Sequence, residues 1–257
     1  MRGRAEPRRA APPAETHVSL NATATRARPL RAVLLDAGNT LFFERPSRFD
    51  VYAAAARDLG LGVEPEAVRE AMHAEHERLP RVDGEPVRYT DRWFRAYVPA
   101  VFRSLGAPEP TLPGLTDVVL ARFRAEALFH LYPETIPTLE RLRALGLRLA
   151  VVSNWSPRLL GHLERLGVAQ LLDAAVVSAV EGIEKPSPGI FECALEKLGV
   201  APDESMHVGD HVVKDVEGAR AAGVRAVLID RAGQGAPAGV ETISSLAELP
   251  RLVGANG

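Results

Sequence analysis

The sequence predicts a doubly wound α/β core with a helical module inserted after its first strand. Three observations predict it. A short apolar run, "RAVLLDAG" at residues 31–38, suits a strand buried on both faces. From about residue 46 to 130 one helical pattern then follows another, with no comparable strand. Beyond that stretch helical and strand patterns alternate, and such alternation means parallel strands with helices on both faces.

Taken in order, residues 1–29 are rich in Arg, Ala and Pro and carry no hydrophobic periodicity. Such a segment buries too little apolar surface to offset its ordering entropy, so a disordered tail is expected. It lacks the apolar stretch of a secretory signal. Inside the module, "RFDVYAAAARDLG", "PEAVREAMHAEHERL", "YTDRWFRAYVPAVFRSLG" and "LPGLTDVVLARFRAEALF" each space apolar residues three and four apart, with Gly or Pro between them. Four helices are expected. The alternation runs through helix "PETIPTLERLRALG", strand "LRLAVVSN", helix "SPRLLGHLERLG" and strand "AAVVS". Helix "PGIFECALEKLG", strand "SMHVGD", helix "KDVEGARAAG" and strand "RAVLID" complete it. The expected division is a tail at 1–29, a core from 30–45 and 131–257, and a helical insertion at 46–130.

Composition narrows the function. Among 257 residues, 46% are apolar and 25% charged, the balance of an ordinary soluble globular protein. A net charge of -2 gives no reason to expect nucleic acid or an anionic membrane as partner. No apolar run approaches the roughly 20 residues that cross a bilayer. Cys193 is the only cysteine, which excludes an intrachain disulfide and suits a reducing cytoplasm. A small-molecule substrate is the expected partner.

In an open parallel sheet, ligands bind beyond the carboxyl ends of the strands. Four strand ends or the loops after them carry polar groups: Asp36, Ser153 with Asn154, Lys185, and Asp210 with Asp215. Folding gathers three carboxylates, an ammonium and a hydroxyl at one rim. Three acids so close repel strongly unless a divalent cation sits among them, and hard oxygen donors point to Mg²⁺. A cation beside a lysine and a hydroxyl suits a phosphoryl group, which one carboxylate can attack to form an aspartyl-phosphate.

The segments "DAGNTL", "VVSN", "EKPSPGIF" and "VGDHVVKDVEGA" resemble, in order, the four motifs of the haloacid dehalogenase-like hydrolases, over about residues 31–232. The helical insertion resembles that family's cap. The resemblance implies a Rossmann-like core and a Mg²⁺-dependent phosphatase acting on a small phosphorylated metabolite. It makes Asp36 the nucleophile and a metal ligand. Ser153 is implied to hydrogen-bond the phosphoryl oxygen, with Asn154 beside it, and Lys185 to steady both nucleophile and phosphate. Asp210 and Asp215 are implied to hold Mg²⁺, with the backbone carbonyl of Gly38 as a further ligand.

Gly38 is also where the sequence departs from the family. Its phosphatases carry there a second Asp, which protonates the leaving oxygen and then activates water. Such help is worth about 10²–10⁴-fold, so a plain alkyl phosphate should react slowly. The metal-free dehalogenases lack the paired aspartates that Asp210 and Asp215 supply. The phosphonate-cleaving relatives need a cap lysine, whereas the lysines here are Lys185, Lys197 and Lys214. Glu44, His73, His76, Asp83 and Asp91 are the available substitutes for the acid. A weakly catalytic or non-catalytic member that binds a phosphorylated ligand or a protein partner is the second reading. Trp155 reads as a packing residue, and Trp93, Phe94 and Tyr97 as a helical stripe of cap core with one ring facing the cleft; Arg88 and Arg92 read as exposed arginines, and His207 and His211 as solvent-facing imidazoles.

Overall fold

The computed structural model describes residues 29–125 and 128–254. The expected tail at 1–29 therefore lies outside the described residues, apart from Pro29. The chain enters the core as β1 (Ala32–Leu35) and leaves it through a short strand, β2 (Phe42–Glu44). Helices α1 (Arg48–Asp58), α2 (Pro65–Arg78), α3 (Asp91–Ser104) and α4 (Leu115–Ala125) follow, before β3 (Phe129–Leu131) returns to the core. Then come α5 (Thr135–Ala144), β4 (Arg148–Ser153), α6 (Arg158–Arg165), β5 (Ala174–Val177), α7 (Ser178–Glu181) and α8 (Pro188–Leu198). Strand β6 (Ser205–Gly209), α9 (Gly218–Ala221), β7 (Arg225–Ile229), β8 (Glu241–Ile243) and α10 (Leu249–Gly254) complete the described fold.

The sheet has six parallel strands in the order β5-β4-β1-β6-β7-β8, the doubly wound α/β arrangement expected. The chain builds outward from β1 on one side and then crosses to the other, so β1 lies at the switch point of strand order. Both faces are covered. Val33, Leu35, Val151 and Val208 pack into one apolar layer, and Ala32, Leu34, Ala150 and Phe191 into the other. Successive residues of a strand point to opposite faces, which is why these strands read as unbroken apolar runs.

The four helices of the insertion enclose their own core. Trp93 and Tyr97, one turn apart on α3, stack with centroids 4.3 Å apart and are buried beside Tyr52, Val98 and Phe102. Ser47 and Asp50 form a reciprocal capping box that starts α1, with Asp50 accepting from the Ser47 amide at 2.9 Å.

Three local features differ from the sequence expectation. Strands β2 and β3 pair antiparallel, Phe42 with Leu131 and Glu44 with Phe129, so the chain passes to and from the insertion through one two-stranded ribbon. Three-residue strands are too short to show an alternating pattern. The edge strand β8 is missed for the same reason. The helix expected at "KDVEGARAAG" opens as a π-helix over Val212–Glu217 before continuing as α9. There the amides of Asp215 and Val216 both donate to the His211 carbonyl, at 2.8 and 3.4 Å.

Candidate active site

The register of the sheet assembles the site. Asp36 follows β1 directly, and its amide donates to the Val208 carbonyl at 2.8 Å. Leu35 is level with Val151 and Val208. Ser153 and Asp210 therefore project one residue beyond the level of Asp36 on the two flanking strands. Lys185 and Asp215 reach the same rim from the loop before α8 and from the π-helix. The carboxylates of Asp36, Asp210 and Asp215 each place an oxygen within 4.8 Å of the others. This donor set is all oxygen, which fits a hard divalent cation of the magnesium or calcium type.

Lys185 ties the cluster together. Its Nζ donates to Asp36 Oδ1 and to Asp215 Oδ1, both at 2.6 Å, and the lysine is 3% exposed. Burial alone would lower the ammonium pKa, but Asp215 and Asp36 outweigh it and hold the charge above the ordinary lysine value. Burial likewise opposes the charge on Asp215, yet Lys185 and His207 hold its carboxyl well below the usual range. Asp210 goes the other way. It faces the cleft but is crowded by protein on its remaining sides, and this desolvation, with the charge on Asp36, pushes it up to about 6. The negative charges of Asp36 and Asp215 add to this rise, and a divalent cation would relieve their repulsion.

Asn154 is committed to the backbone of Lys185. Its Nδ2 donates to the Lys185 carbonyl at 2.9 Å and its Oδ1 accepts from the Lys185 amide at 2.7 Å. Ser153 is buried and, like Gly38, lines the cleft. Three contributors escaped sequence reasoning. His207, expected in solvent, is fully buried and bonds through Nε2 to Asp215 Oδ1 at 2.9 Å. A carboxylate only accepts, so His207 carries its proton on Nε2. Asn39 sits at φ 56°, a left-handed backbone that asparagine tolerates, and donates to Asp210 Oδ2 at 3.1 Å. Arg231 lies 3.4 Å over the Tyr132 ring and donates to the Asn39 and Thr40 carbonyls at 3.1 and 2.7 Å, fixing the loop after Asp36. Strand "SMHVGD" held a signal for His207, since every residue of a doubly covered strand is enclosed. Nothing local marked Arg231, which is 192 residues from Asn39 in sequence. Gly209 is required by close approach, because a Cβ there would run into the Asp215 carboxylate.

Above the rim, helices and core enclose a cleft of about 640 Å³. Gly38 lines it, and the place of its missing side chain is crowded. A Cβ on Gly38 would stand 3.0 Å from Cζ3 of Trp155. That indole is wedged edge-on between Phe42 and Phe129, with centroids at 5.7 and 5.8 Å. Of the substitute acids, Glu44, His73 and His76 line the cleft, whereas Asp83 and Asp91 do not. Glu44 accepts from Arg48 Nη2 and Nε at 2.5 and 2.8 Å. His76 shares a hydrogen bond with the Tyr89 hydroxyl at 3.0 Å, and burial with Arg88 nearby pushes it down to about 4. Asp91 is paired with Arg158 at 2.5 Å. Arg88 is not free at the surface, for it pairs with Glu184 at 3.1 Å, beside Lys185. All three α3 rings line the cleft, Trp93 and Tyr97 buried and Phe94 half-buried.

A doubly wound α/β core, a helical cap inserted after its first strand, and an acid–lysine cluster at the carboxyl rim define a capped hydrolase of the doubly wound class. The chain belongs to the haloacid dehalogenase-like hydrolases, whose family profile matches residues 30–223. It is 32% identical over 208 residues to haloacid dehalogenase-like hydrolase domain-containing protein 3 of Danio rerio, covering 79% of this chain and 86% of that protein. It is 34% identical over 206 residues to glyceraldehyde 3-phosphate phosphatase of Methanopyrus kandleri, covering 79% and 84%. The crystal structure of a HAD phosphatase from Thermococcus onnurineus matches with a TM-score of 0.62 at 28% identity, over 88% of this chain and 98% of that one. The protein is a phosphatase-like hydrolase. No helix among the described residues is long and apolar enough to cross a membrane.

Proposed function

We propose that this hydrolase is a Mg²⁺-dependent phosphatase acting on a small phosphorylated metabolite through an aspartyl-phosphate on Asp36. The carrying observation is the triad in which Lys185 bridges Asp36 and Asp215 at 2.6 Å, with Asp210 completing a three-carboxylate cluster beneath the cap. Asp36, Asp210, Asp215 and the Gly38 carbonyl would hold Mg²⁺, which when bound supplies charge neutralisation for the phosphoryl oxygens. Asp36 attacks phosphorus, and Lys185 orients its carboxylate for that attack. Ser153 donates to a phosphoryl oxygen. Asn154 acts one step back, by fixing the main chain of Lys185. Residues 46–130 form the cap that sets which substrate enters. Turnover of phosphomonoesters with Mg²⁺, loss of it in Asp36→Asn, and mass-spectrometric capture of phosphate on Asp36 are the expected results. Turnover that survives Asp36→Asn, or that needs no divalent metal, overturns the proposal.

Gly38 motivates a second reading, a member that binds a phosphorylated ligand without turning it over. Ligand-dependent thermal stabilisation without release of phosphate would favour it, and brisk hydrolysis dismisses it.

A further inference from the structure

The cleft combines a phosphoryl-handling floor that has a glycine and no acid at position 38 with a wall of aromatic rings. At position 38 a side chain would be crowded by Trp155, whose ring is 3.0 Å from where a Cβ would stand. Of the five other cleft-lining carboxyl and imidazole groups outside the three-carboxylate cluster, four are already hydrogen-bonded. Glu44 is held by three hydrogen bonds from Arg48, one from its amide and two from its guanidinium, and His76 by Tyr89. His162 is bonded to Arg165, and His211 accepts from the Lys214 amide at 3.3 Å. His73 is exposed on α2. Half-buried rings of Phe43, Phe49, Tyr89, Phe94, Phe123 and Trp155 line the cavity. The cap arginine that lines it, Arg48, is neutralised by Glu44, so the cap offers a second anionic group on the substrate little attraction.

We infer that the substrate is an aryl phosphate, a phosphate monoester of a phenol, whose ring lies against this wall and whose oxygen leaves unprotonated. The inference rests on the phosphatase reading above. In the chemistry, an Asp36 carboxylate oxygen forms a bond to phosphorus. The bond from phosphorus to the phenolic oxygen breaks, and its electron pair leaves as aryloxide. Water then adds to phosphorus, the bond to Asp36 breaks, and carboxylate is regenerated with dihydrogen phosphate carrying both protons of the water. The aryloxide takes its proton from solvent, equilibrating with the released phosphate. Phenolate is a far weaker base than an alkoxide, so this departure needs no acid, whereas loss of an alkoxide does.

Four phosphates separate the ring from the leaving group: phenyl (ring, weak base), benzyl (ring, alkoxide), acetyl (no ring, weak base) and glycerol phosphate (neither). With Mg²⁺, kcat/KM for phenyl phosphate should exceed that for benzyl phosphate by about 10²–10⁴-fold, the usual worth of a general acid. An enzyme with a working acid flattens that difference. Its KM should be about two- to tenfold below that for acetyl phosphate, as expected for an aromatic contact. Phenylphosphonate, which cannot be turned over, should bind more tightly than methylphosphonate by calorimetry, and Phe94→Ala should erase the gap. Benzyl or glycerol phosphate reacting within tenfold of phenyl phosphate overturns the leaving-group argument and leaves the phosphatase standing. Equal binding of the two phosphonates overturns the aromatic wall. No turnover of any of the four removes the phosphatase reading itself, and this inference with it.

Discussion

Restoring an acid at position 38 by the single change Gly38→Asp should destabilise the protein instead of repairing it. Gly38 is not in the left-handed region of backbone space, so the main chain itself admits a side chain. The obstacle is the indole. A Cβ 3.0 Å from Trp155 Cζ3 is closer than the roughly 3.5–4.0 Å optimum between carbons, while its 3.6 Å to Cη2 is an ordinary contact. Retreat is blocked on two sides by Phe42 and Phe129, whose rings meet Trp155 at 77° and 66°. Overpacking of this kind costs about 1–3 kcal/mol, and at this chain length each kcal/mol lowers Tm by about 2–4 °C. The assay is a double-mutant cycle on stability, with Gly38→Asp, Trp155→Ala and the pair, followed by urea denaturation. Trp155→Ala vacates the space, so the two changes should couple by about 0.5–3 kcal/mol in the stabilising direction. A gain in benzyl phosphate hydrolysis should appear in the pair and not in Gly38→Asp alone. A fully stable Gly38→Asp variant with zero coupling refutes the steric argument.

Three further outcomes test the cluster and its surroundings. Asp210→Asn removes one of three mutually repelling carboxylates, so the metal-free protein should gain about 1 kcal/mol of stability while losing its thermal shift with Mg²⁺; an unchanged shift argues against Asp210 as a ligand. Lys185→Met leaves Asp36 and Asp215 without their shared counter-charge, and removing one partner of a buried ion pair costs about 3–5 kcal/mol. A loss below about 1 kcal/mol by urea denaturation contradicts the bridging role. His162 is pushed down to about 4 by burial, with Arg165 and Arg158 adding to the effect. A depressed histidine pKa means the fold keeps the ring neutral. Its contribution is complete above the unfolded value of about 6.5 and is lost as pH falls toward 4. After allowance for solvent screening this amounts to about 1–2 kcal/mol. The imidazole resonances of His162 should stay those of a neutral ring down to pH 5; an inflection at the ordinary histidine pKa contradicts the assignment.

What could be read from sequence was what repeats locally or ends an apolar run. Val33–Leu35 and Leu149–Val152 are uninterrupted because helices cover both faces of the sheet, and that same enclosure makes Asp36 and Ser153 conspicuous at their ends. Trp93 and Tyr97 announced the core of the insertion by their spacing. The ribbon of β2 and β3 was not legible, because pairing between Phe42 and Leu131 leaves no periodic trace in three residues. His207 was misjudged for a related reason: a histidine in a strand looks solvent-facing until both neighbouring layers are known. The relation between Gly38 and Trp155 joins residues 117 positions apart by a packing contact, which no spacing rule reports. Sequence showed that an acid was absent, and packing shows that Trp155 crowds its place.

The paired strands β2 and β3 make the cap a removable cassette. Outgoing and incoming chains run side by side, so a replacement need only bridge one interstrand gap of about 4.7–4.9 Å to rejoin the core. A different set of helices, or a short turn, could be spliced between Glu44 and Phe129 while the register of the six-stranded sheet stays untouched. Selectivity and chemical machinery can thus diverge separately along one polypeptide, and chimeras joined at this ribbon offer a direct way to exchange one without the other.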